Sequence, residues 1–343
     1  MELPKISVIV PVLNEEKYIK ELLESINQQN YPKKQIELII IDGNSTDNTL
    51  YEIQKNKDKY EFKTKILINK EKITPISLNM GIKNAKNKYI IRLDAHAKYN
   101  KNYFKSAIIE LERDPNLVSV GGYLHVTPSE NTTKAKAISY VWKSVFGSGF
   151  SHYRVNHMIK IVKEKVDTVP FGVYRTKQIK EAGYFDEKLK RGQDIDLYYR
   201  LKKKYKGDIL ITPDMKIYYK FKPSNTVQLF KRQFTQGEWV FKRSHGILLR
   251  HYLPLILFWL AIIIFIILPE ALYTLTALYV IIASFFYLKE TETTKEKLFL
   301  PYGIWAYIVN HSAFIIGLNK SFIDYIKEKL KSKKKMKDSS MKR

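Results

Sequence analysis

The chain has 343 residues and no cysteine, which excludes disulfide bonds and any zinc site built on cysteine thiolates. Its 59 Lys and Arg residues outnumber 34 Asp and Glu residues, giving a formal net charge of +25. Such an excess indicates an anionic partner, either nucleic acid, a lipid surface or a phosphate-rich substrate. The first residues, MELPK, are not a basic segment followed by an apolar one. We therefore expect no signal peptide and a cytoplasmic N-terminal part.

The first hundred residues alternate between apolar strands and amphipathic helices. Strands are predicted at 6–12, 36–42, 65–68 and from Tyr89 onwards, with helices opening at Asn14 and covering about 75–85. Short connections between alternating strands and helices are typical of a parallel α/β sheet. In such sheets ligands bind beyond the carboxyl ends of the strands. Residues 12–15, Asp42 and residues 94–96 all follow strands, so we expect them to converge on one crevice.

A carboxylate and an imidazole follow the fourth predicted strand. They belong to Asp94 and His96, within the segment 93–97 that reads LDAHA. Two side chains at an i, i+2 spacing can point at one ion once the chain turns. Carboxylate and imidazole donors together suit Mn²⁺ or Mg²⁺ held partly by phosphates. The alternative interpretation is a loop aspartate beside an unrelated histidine.

The region from residue 118 to residue 201 has a less regular pattern. Strands are predicted at 118–126 and at 166–175, the second one interrupted by Pro170 and Gly172. A helix is predicted at 135–146 and a turn at 183–187. Asp194 lies near a predicted helix start, with apolar residues behind it. A helix N-terminus favours an ionised carboxylate. The alternative role for Asp194 is a simple helix N-cap.

Six short motifs, in this order, resemble those of family 2 glycosyltransferases. They are residues 11–15 (PVLNE), 42–47 (DGNSTD), 79–81 (NMG), 94–96 (DAH), 183–187 (GYFDE) and 193–194 (QD). The resemblance covers roughly residues 5–235, and LDAHA is most similar to the subgroup that builds exopolysaccharides of the succinoglycan type. It implies an α/β fold of the GT-A (nucleotide-diphospho-sugar transferase) class. That fold is a Rossmann-like mixed sheet flanked by helices, here with C-terminal transmembrane helices added.

The resemblance also implies how the donor is held. Pro11, Asn14 and Glu15 match the loop that holds the nucleotide base and ribose, and Asp42 matches the acidic residue beside the uracil. Asn79, in the third motif, joins the nucleotide-sugar-binding set.

Asp94 and His96 match the family's Asp-x-Asp pair, which binds the donor ribose and the metal on its diphosphate. His96 departs from the usual second aspartate; an imidazole still ligates Mn²⁺ but makes Mg²⁺ less suitable.

The resemblance assigns catalysis to Asp194, which matches the base of the family's Glu-Asp motif, with Gln193 in place of the glutamate. One base and one metal on opposite sides of the donor sugar produce a single displacement with inversion. Residues 233–239 do not match the Gln-x-x-Arg-Trp motif of processive enzymes. This mismatch argues against processive synthesis of a long polymer.

Two uncharged runs follow the region of resemblance, at 253–268 and 271–288. We expect membrane spans at about 252–269 and 271–288, since a span needs about 20 apolar residues. The alternative is a buried helical hairpin of a soluble domain. Cations flank both ends of the hairpin, which predicts that both ends are cytoplasmic. A third apolar stretch, 298–318, is expected to be re-entrant or interfacial, because a third span would export the basic tail at 321–343.

These observations predict a cytoplasmic GT-A catalytic domain (1–235), a membrane region (236–320) and a basic tail (321–343) in a multi-pass cell-membrane protein. The predicted reaction is inverting, metal-dependent sugar transfer from a nucleotide-diphosphate sugar, a UDP-sugar, to a polyprenyl-linked glycan acceptor in glycan biosynthesis. The cofactor is Mn²⁺ or Mg²⁺, and membrane lipid is a further partner. The alternatives are a polyprenyl-phosphate monoglycosyltransferase and a non-catalytic sugar-nucleotide-binding scaffold. Nucleic acid is not an expected partner, because no stacking motif is interleaved with the lysine runs.

Overall fold

The computed structural model describes residues 3–149, 151–243 and 252–340. The described residues pack as two compact units. Unit one contains residues up to 127 and residues 151–221, and unit two contains residues 128–149 and those from 222 onwards. Residues 244–251 of the predicted membrane region and 341–343 of the predicted tail lie outside the described residues. The functional ranges 1–235, 236–320 and 321–343 stay predictions.

Unit one is built on a mixed β-sheet. Its strands are β1 (Ile6–Val12), β2 (Ile36–Asp42), β3 (Lys63–Ile68), β4 (Tyr89–Arg92), β5 (Ala97–Tyr99), β6 (Leu117–Pro128), β7 (Glu164–Val166), β8 (Val173–Arg175) and β9 (Asp208–Phe221). The order across the sheet is β3-β2-β1-β4-β8-β6-β9-β5, and β7 pairs with β9. The first four strands pair in parallel, and β4–β8, β6–β8, β5–β9 and β7–β9 are antiparallel. This arrangement confirms the predicted mixed α/β sheet flanked by helices.

The helices of unit one cover the sheet. They are α1 (Ile19–Asn27), α2 (Thr49–Asn56), α3 (Thr74–Asn84), α4 (Tyr103–Arg113), α7 (Thr176–Glu181) and α8 (Gln193–Tyr205). Strands β1 and β2 are buried almost throughout, which suits their β-branched composition. Helix α3 approaches β1 closely at Gly81, where a Cβ would lie 2.4 Å from a methyl group of Ile9. The core joins α3 and α8 to both the parallel and the antiparallel strands, with Ile39, Leu78, Leu197 and Ile209 among its buried residues.

Two predicted boundaries in the chain are wrong, and one predicted interruption is present. The helix expected from Asn14 begins at Ile19, because Asn14 has φ of 53° and a turn follows it. The interruption expected within 166–175 is present: β7 ends at Val166, β8 begins at Val173, and Phe171 in the loop between them has φ of 48°. The helix expected at 135–146 is broken at Ser144, whose backbone is extended and whose hydroxyl accepts from Gly147 N.

Unit two is helical. It contains α5 (Thr133–Lys143), α6 (Val145–Ser148), α9 (Thr226–Glu238), α10 (Leu253–Ile267), α11 (Ala271–Glu290), α12 (Thr294–Lys297) and α13 (Leu300–Ser340). Helices α9 and α13 cross at two glycines. A Cβ on Gly237 would lie 2.2 Å from the Phe314 carbonyl oxygen, and one on Gly317 would lie 2.1 Å from that of Phe234. The two backbones meet here because neither crossing residue carries a side chain.

Within the described chain, α11 is the one helix that is long and apolar enough to cross a membrane. The other predicted span, α10, is apolar but has 15 residues, fewer than the roughly 20 that a span needs. α13 runs over Leu300–Ser340 as one continuous helix, and the re-entrant or interfacial arrangement expected for 298–318 stays a prediction.

Candidate active site

The loops that follow β1 and β2 are joined by side-chain hydrogen bonds. Asn14 donates its backbone N–H to Ser45 Oγ (3.0 Å) and accepts through Oδ1 from Thr46 N (2.9 Å). Asp42, the last residue of β2, accepts from Ser45 N (3.0 Å) and from the Ser45 hydroxyl (2.5 Å). Pro11 lies one residue before the end of β1, beside Ile41 of β2. The structure thus brings Pro11, Asn14 and Asp42 to the carboxyl ends of two neighbouring strands.

A second group of predicted residues meets around His96. Its Nδ1 lies 3.0 Å from Glu15 Oε1, and its Nε2 lies 3.0 Å from the Tyr219 hydroxyl. The same Nε2 is 3.8 Å from Asp94 Oδ2. Glu15 is held in turn by its backbone N–H, which donates to Thr49 Oγ1 at 2.7 Å. The expected neighbourhood of Asp94, His96 and Glu15 is present, and both ring nitrogens of His96 contact protein groups.

The surroundings of His96 affect its ability to bind a metal. Burial lowers the pKa of His96, but Tyr219, Glu15 and Asp94 outweigh burial and raise this pKa to about 9. A protonated imidazole cannot ligate a cation, since the ligand form is neutral. Among the described residues, no group of three or more His, Cys, Asp or Glu side chains is placed to hold a metal.

The donor set fits a divalent ion that takes most of its ligands from phosphate oxygens and one from Asp94, a carboxylate about 20% exposed. His96 fits that ion only after losing one of its contacts.

The predicted base lies in an ion pair that the sequence did not reveal. Asp194 is the second residue of α8, its side chain is 29% exposed, and Arg92 Nη1 donates to its Oδ1. Arg92 ends β4 and is buried, with its guanidinium carbon 5.5 Å from the Phe171 ring and 5.9 Å from the Phe185 ring. A charged residue inside an otherwise apolar strand was the available signal for Arg92.

The electrostatic environment makes Asp194 a stronger base than an exposed aspartate. Burial raises the pKa of Asp194, Arg92 opposes the increase, and the neighbouring Asp94 adds to it. The pKa of Arg92 is raised despite its burial, because Asp194 and Asp94 stabilise the guanidinium charge. A carboxylate with a raised pKa takes a proton more readily at neutral pH.

Asp196, two residues later, forms a separate ion pair with Arg200. Its Oδ2 accepts from Arg200 Nε at 2.9 Å and lies 2.8 Å from Arg200 Nη2.

Asn79 has a different setting from the other predicted donor-binding residues. It is buried in α3, its Nδ2 donates to Phe185 O and to Glu187 Oε1 (both 2.9 Å), and its Oδ1 accepts from Phe185 N (2.9 Å). The whole amide is therefore engaged by the loop at 183–187. Asn79 shapes that loop, and direct contact between Asn79 and a nucleotide stays a prediction.

Comparison with known proteins identifies relatives of the chain. A stretch of 202 residues, 57% of the chain, is 34% identical to 61% of the Methanococcus voltae protein named dolichyl N-acetyl-alpha-D-glucosaminyl phosphate 3-beta-D-2,3-diacetamido-2,3-dideoxy-beta-D-glucuronosyltransferase. Succinoglycan biosynthesis protein ExoA of Rhizobium meliloti is 26% identical over 201 residues, 57% of each chain. The chain thus spans about 60% of the length of these relatives.

A solved structure of similar fold is a mannosyltransferase, PcManGT from Pyrobaculum calidifontis, in complex with GDP-Man and Mn²⁺. The similarity has a TM-score of 0.58 at 17% identity and covers 94% of this chain and 88% of that one. At the level of sequence, the pattern of Glycosyl transferase family 2 matches residues 7–181, just over half of the chain. By this match the chain belongs to glycosyl transferase family 2.

Proposed function

We propose that this chain transfers a sugar, with inversion, from a UDP-sugar to a lipid-linked glycan acceptor. The observation that carries the proposal is the carboxylate of Asp194, which is partly exposed and has a raised pKa. The charge of Asp94 contributes to this increase. Asp194 serves as base, and Asp94 holds the donor ribose and the diphosphate region. Pro11, Asn14, Glu15 and Asp42 form the nucleotide-binding set, with Asn79 supporting them through the loop at 183–187.

The reaction needs one proton transfer and one displacement. Asp194 takes the proton of the acceptor hydroxyl while that oxygen bonds to the anomeric carbon of the donor sugar. The bond from this carbon to the diphosphate oxygen breaks, and the nucleoside diphosphate leaves with the electron pair. Because attack and departure occur on opposite faces, the anomeric configuration inverts. General-base assistance of this kind typically contributes about 10²–10⁴-fold in rate.

Substituting the base tests the proposed function. Asp194→Asn is nearly isosteric, so it should lower kcat by about 10²–10⁴-fold and leave the donor KM close to unchanged. Asp196→Asn, on the same helix but facing Arg200, is the matched control and should have a much smaller effect. A near wild-type rate in Asp194→Asn would instead support the polyprenyl-phosphate acceptor of the alternative reaction, because a phosphate needs no base. Donor binding without transfer by the wild-type chain would favour the scaffold alternative.

A divalent ion bound here would neutralise the charge that develops on the leaving diphosphate. Asp94 is its proposed protein ligand, and His96 joins only by releasing Tyr219 or Glu15. Asp94→Ala should abolish metal-dependent binding of nucleoside diphosphate. His96→Asp should shift the preference from Mn²⁺ toward Mg²⁺, because a hard carboxylate replaces a borderline imidazole. A metal titration of His96→Asp that matches the wild type would remove His96 from the ligand set.

The acceptor and the location follow from the relatives and the apolar helices. The Methanococcus voltae relative is named for a dolichyl-linked sugar phosphate, which supports a polyprenyl-linked acceptor here. An acceptor of this kind lies in a membrane, in keeping with the length and composition of α11. The proposed location is the cell membrane, with α10 and α11 as two spans, the catalytic domain in the cytoplasm and α13 along the inner surface.

A further inference from the structure

Arg92 is an unusual residue for the end of a core strand. Its side chain is 7% exposed, and a buried guanidinium is costly unless its charge and donors are satisfied. One nitrogen, Nη1, donates to Asp194 Oδ1, while Nε has no hydrogen-bond partner in the described part of the chain. A residue serving stability alone would have more of its donors satisfied. The pair with Asp194 is therefore the feature that explains a charge at this position.

The geometry of the pair divides the two oxygens of the carboxylate. Oδ1 accepts a hydrogen bond from Arg92. Within the described part of the chain, this is the carboxylate oxygen of Asp194 that has a hydrogen-bond donor. We propose that Arg92 is a positioning residue: by binding Oδ1 it holds the carboxylate of Asp194 in one orientation and leaves Oδ2 for the proton of the acceptor. This inference rests on the proposed function of Asp194 as base.

The surroundings hold Arg92 itself in place. Its backbone N–H donates to Gly172 O at 3.4 Å, and the rings of Phe171 and Phe185 lie beside its guanidinium. Phe171 has φ of 48°, a backbone conformation that residues other than glycine rarely adopt. The Tyr103 hydroxyl donates to the Phe171 carbonyl at 3.0 Å. Cation–π contacts of this kind restrict the guanidinium to the space between its neighbours.

Each ring is fixed by a separate anchor. Asn79 binds both the N–H and the carbonyl of Phe185, so two hydrogen bonds hold the backbone that carries this ring. Beside Phe171, a Cβ on Gly172 would lie 2.3 Å from the Tyr198 hydroxyl, so the loop packs without spare room. Several contacts thus restrict the orientation of one guanidinium group. A small misplacement of a catalytic group can cost about 10²-fold in rate, which gives such constraints a catalytic purpose.

The same helix provides a matched control. Asp196 is paired with Arg200, whose guanidinium also donates to the carbonyls of Ala182 and Tyr184. This second arginine–aspartate pair joins α8 to a neighbouring turn and takes no part in the proposed reaction. Arg200→Lys therefore changes a comparable pair in the same way as Arg92→Lys, with no expected effect on the base.

The test is a double-mutant cycle on the full-length protein, measured as sugar transfer with separate kcat and donor KM. Arg92→Lys keeps the charge but loses the planar fork, and should lower kcat by at least about 10-fold with donor KM nearly unchanged. In the Asp194→Asn background the same substitution should cause little further loss, because it acts through Asp194. Arg200→Lys should change stability more than kcat.

Phe185→Leu serves as a second variant in case Arg92→Lys does not fold. It leaves the charges intact but removes one ring beside the guanidinium, so its loss of kcat should also disappear in the Asp194→Asn background. Equal fold losses in both backgrounds, or a rise in donor KM without a change in kcat, would overturn the positioning role. If Asp194→Asn alone is fully active, the base assignment fails first, and the two failures remain distinguishable.

Discussion

Asp194 combines a partly exposed carboxylate with a raised pKa, and this combination affects how activity depends on pH. Burial is the main cause of the increase, with Arg92 opposing it and Asp94 adding to it. The proposed base works only when it is ionised, so we expect activity to be lost as the pH falls through this raised pKa. We expect the acid limb of kcat/KM to lie above the usual aspartate value of about 3.9.

A pH–rate profile measures this limb, and Asp196→Asn should leave it in place. Full activity down to the ordinary aspartate range would contradict the environment described for Asp194.

Asn79 gives a second prediction for a single residue. Asn79→Asp keeps the shape of the side chain but replaces the donor that faces Phe185 O and Glu187 Oε1 with an oxygen. Losing a buried hydrogen bond and facing another carboxylate should lower the free energy of unfolding by about 1–3 kcal/mol. Thermal unfolding measures the effect. Asn84→Asp, at the more exposed end of α3, is the control: it also loses one donor, to Met80 O, but its new charge lies beside the Lys65 ammonium, so its effect should be smaller.

The site residues that could be predicted from the sequence are those that lie in a recognisable local pattern, such as a fixed spacing after a strand. Asp94 and His96 follow a strand at a spacing of two, and the structure brings them within 3.8 Å. Tyr219 contacts His96 from a strand 123 residues further on, and no local pattern encodes that contact. Arg92 was missed because pairing of a buried charge depends on a helix about a hundred residues away.

At the scale of elements, the crossing of α9 and α13 depends on two glycines. Gly317→Ala adds one methyl group, which normally favours a helix by up to about 1 kcal/mol. Here that methyl group would lie 2.1 Å from the Phe234 carbonyl oxygen, so the helices must separate. We expect a loss of about 1–3 kcal/mol in unfolding free energy, opposite in sign to the helix propensity. Ser312→Ala on the same helix should be nearly neutral, and stabilisation by Gly317→Ala would contradict the crossing.

Elements were predictable where side-chain patterns alone decide the backbone. The continuous apolar runs of β1 and β2 gave the observed bounds, Ile6–Val12 and Ile36–Asp42. Errors occurred where tertiary contacts override the pattern. The left-handed backbone of Asn14 is held by Ser45 and Thr46 of another loop, and that of Phe171 lies beside the packed Gly172. Pro170 and Gly172 predict the break within residues 166–175, but no local pattern predicts the left-handed backbone of Phe171.

At the scale of the whole molecule, the proposed membrane location can be tested by extraction. Carbonate washing should leave the chain in the membrane pellet. Two aspartates at the exposed positions Leu278 and Ile281 of α11 should move it toward the soluble fraction, because each costs about 2.5–3.5 kcal/mol near a span centre. Ile323→Asp on α13 is the control outside the spans and should keep the chain in the pellet.

A reporter fused after Arg343 tests the number of spans. With α10 and α11 both crossing, it should report the cytoplasm. An external signal would establish an odd number of crossings.

The division into two units was not predictable from the sequence. The change in composition near residue 252 indicates apolar helices, but nothing marks residues 128–149 as partners of the C-terminal half. Residues 128–149 join the C-terminal half through contacts with residues that lie far away in the sequence. Tyr307 donates its hydroxyl to Ser144 Oγ at 2.7 Å, and Asn310 donates to Gly147 O at 3.1 Å.

This interleaving of the two units has a consequence for synthesis on the ribosome. Helix α5 is made roughly 160 residues before α13 begins, which at about 5–20 residues per second is a delay of about 8–30 s. During that time α5, whose Ala135, Ile138 and Val141 are buried in the finished structure, has no helix α13 to pack against. The nascent chain therefore carries an unfinished apolar segment while β7, β8 and β9 are still being added to the sheet. Chaperone demand should peak in this interval, and slower translation between residues 150 and 300 should lengthen it.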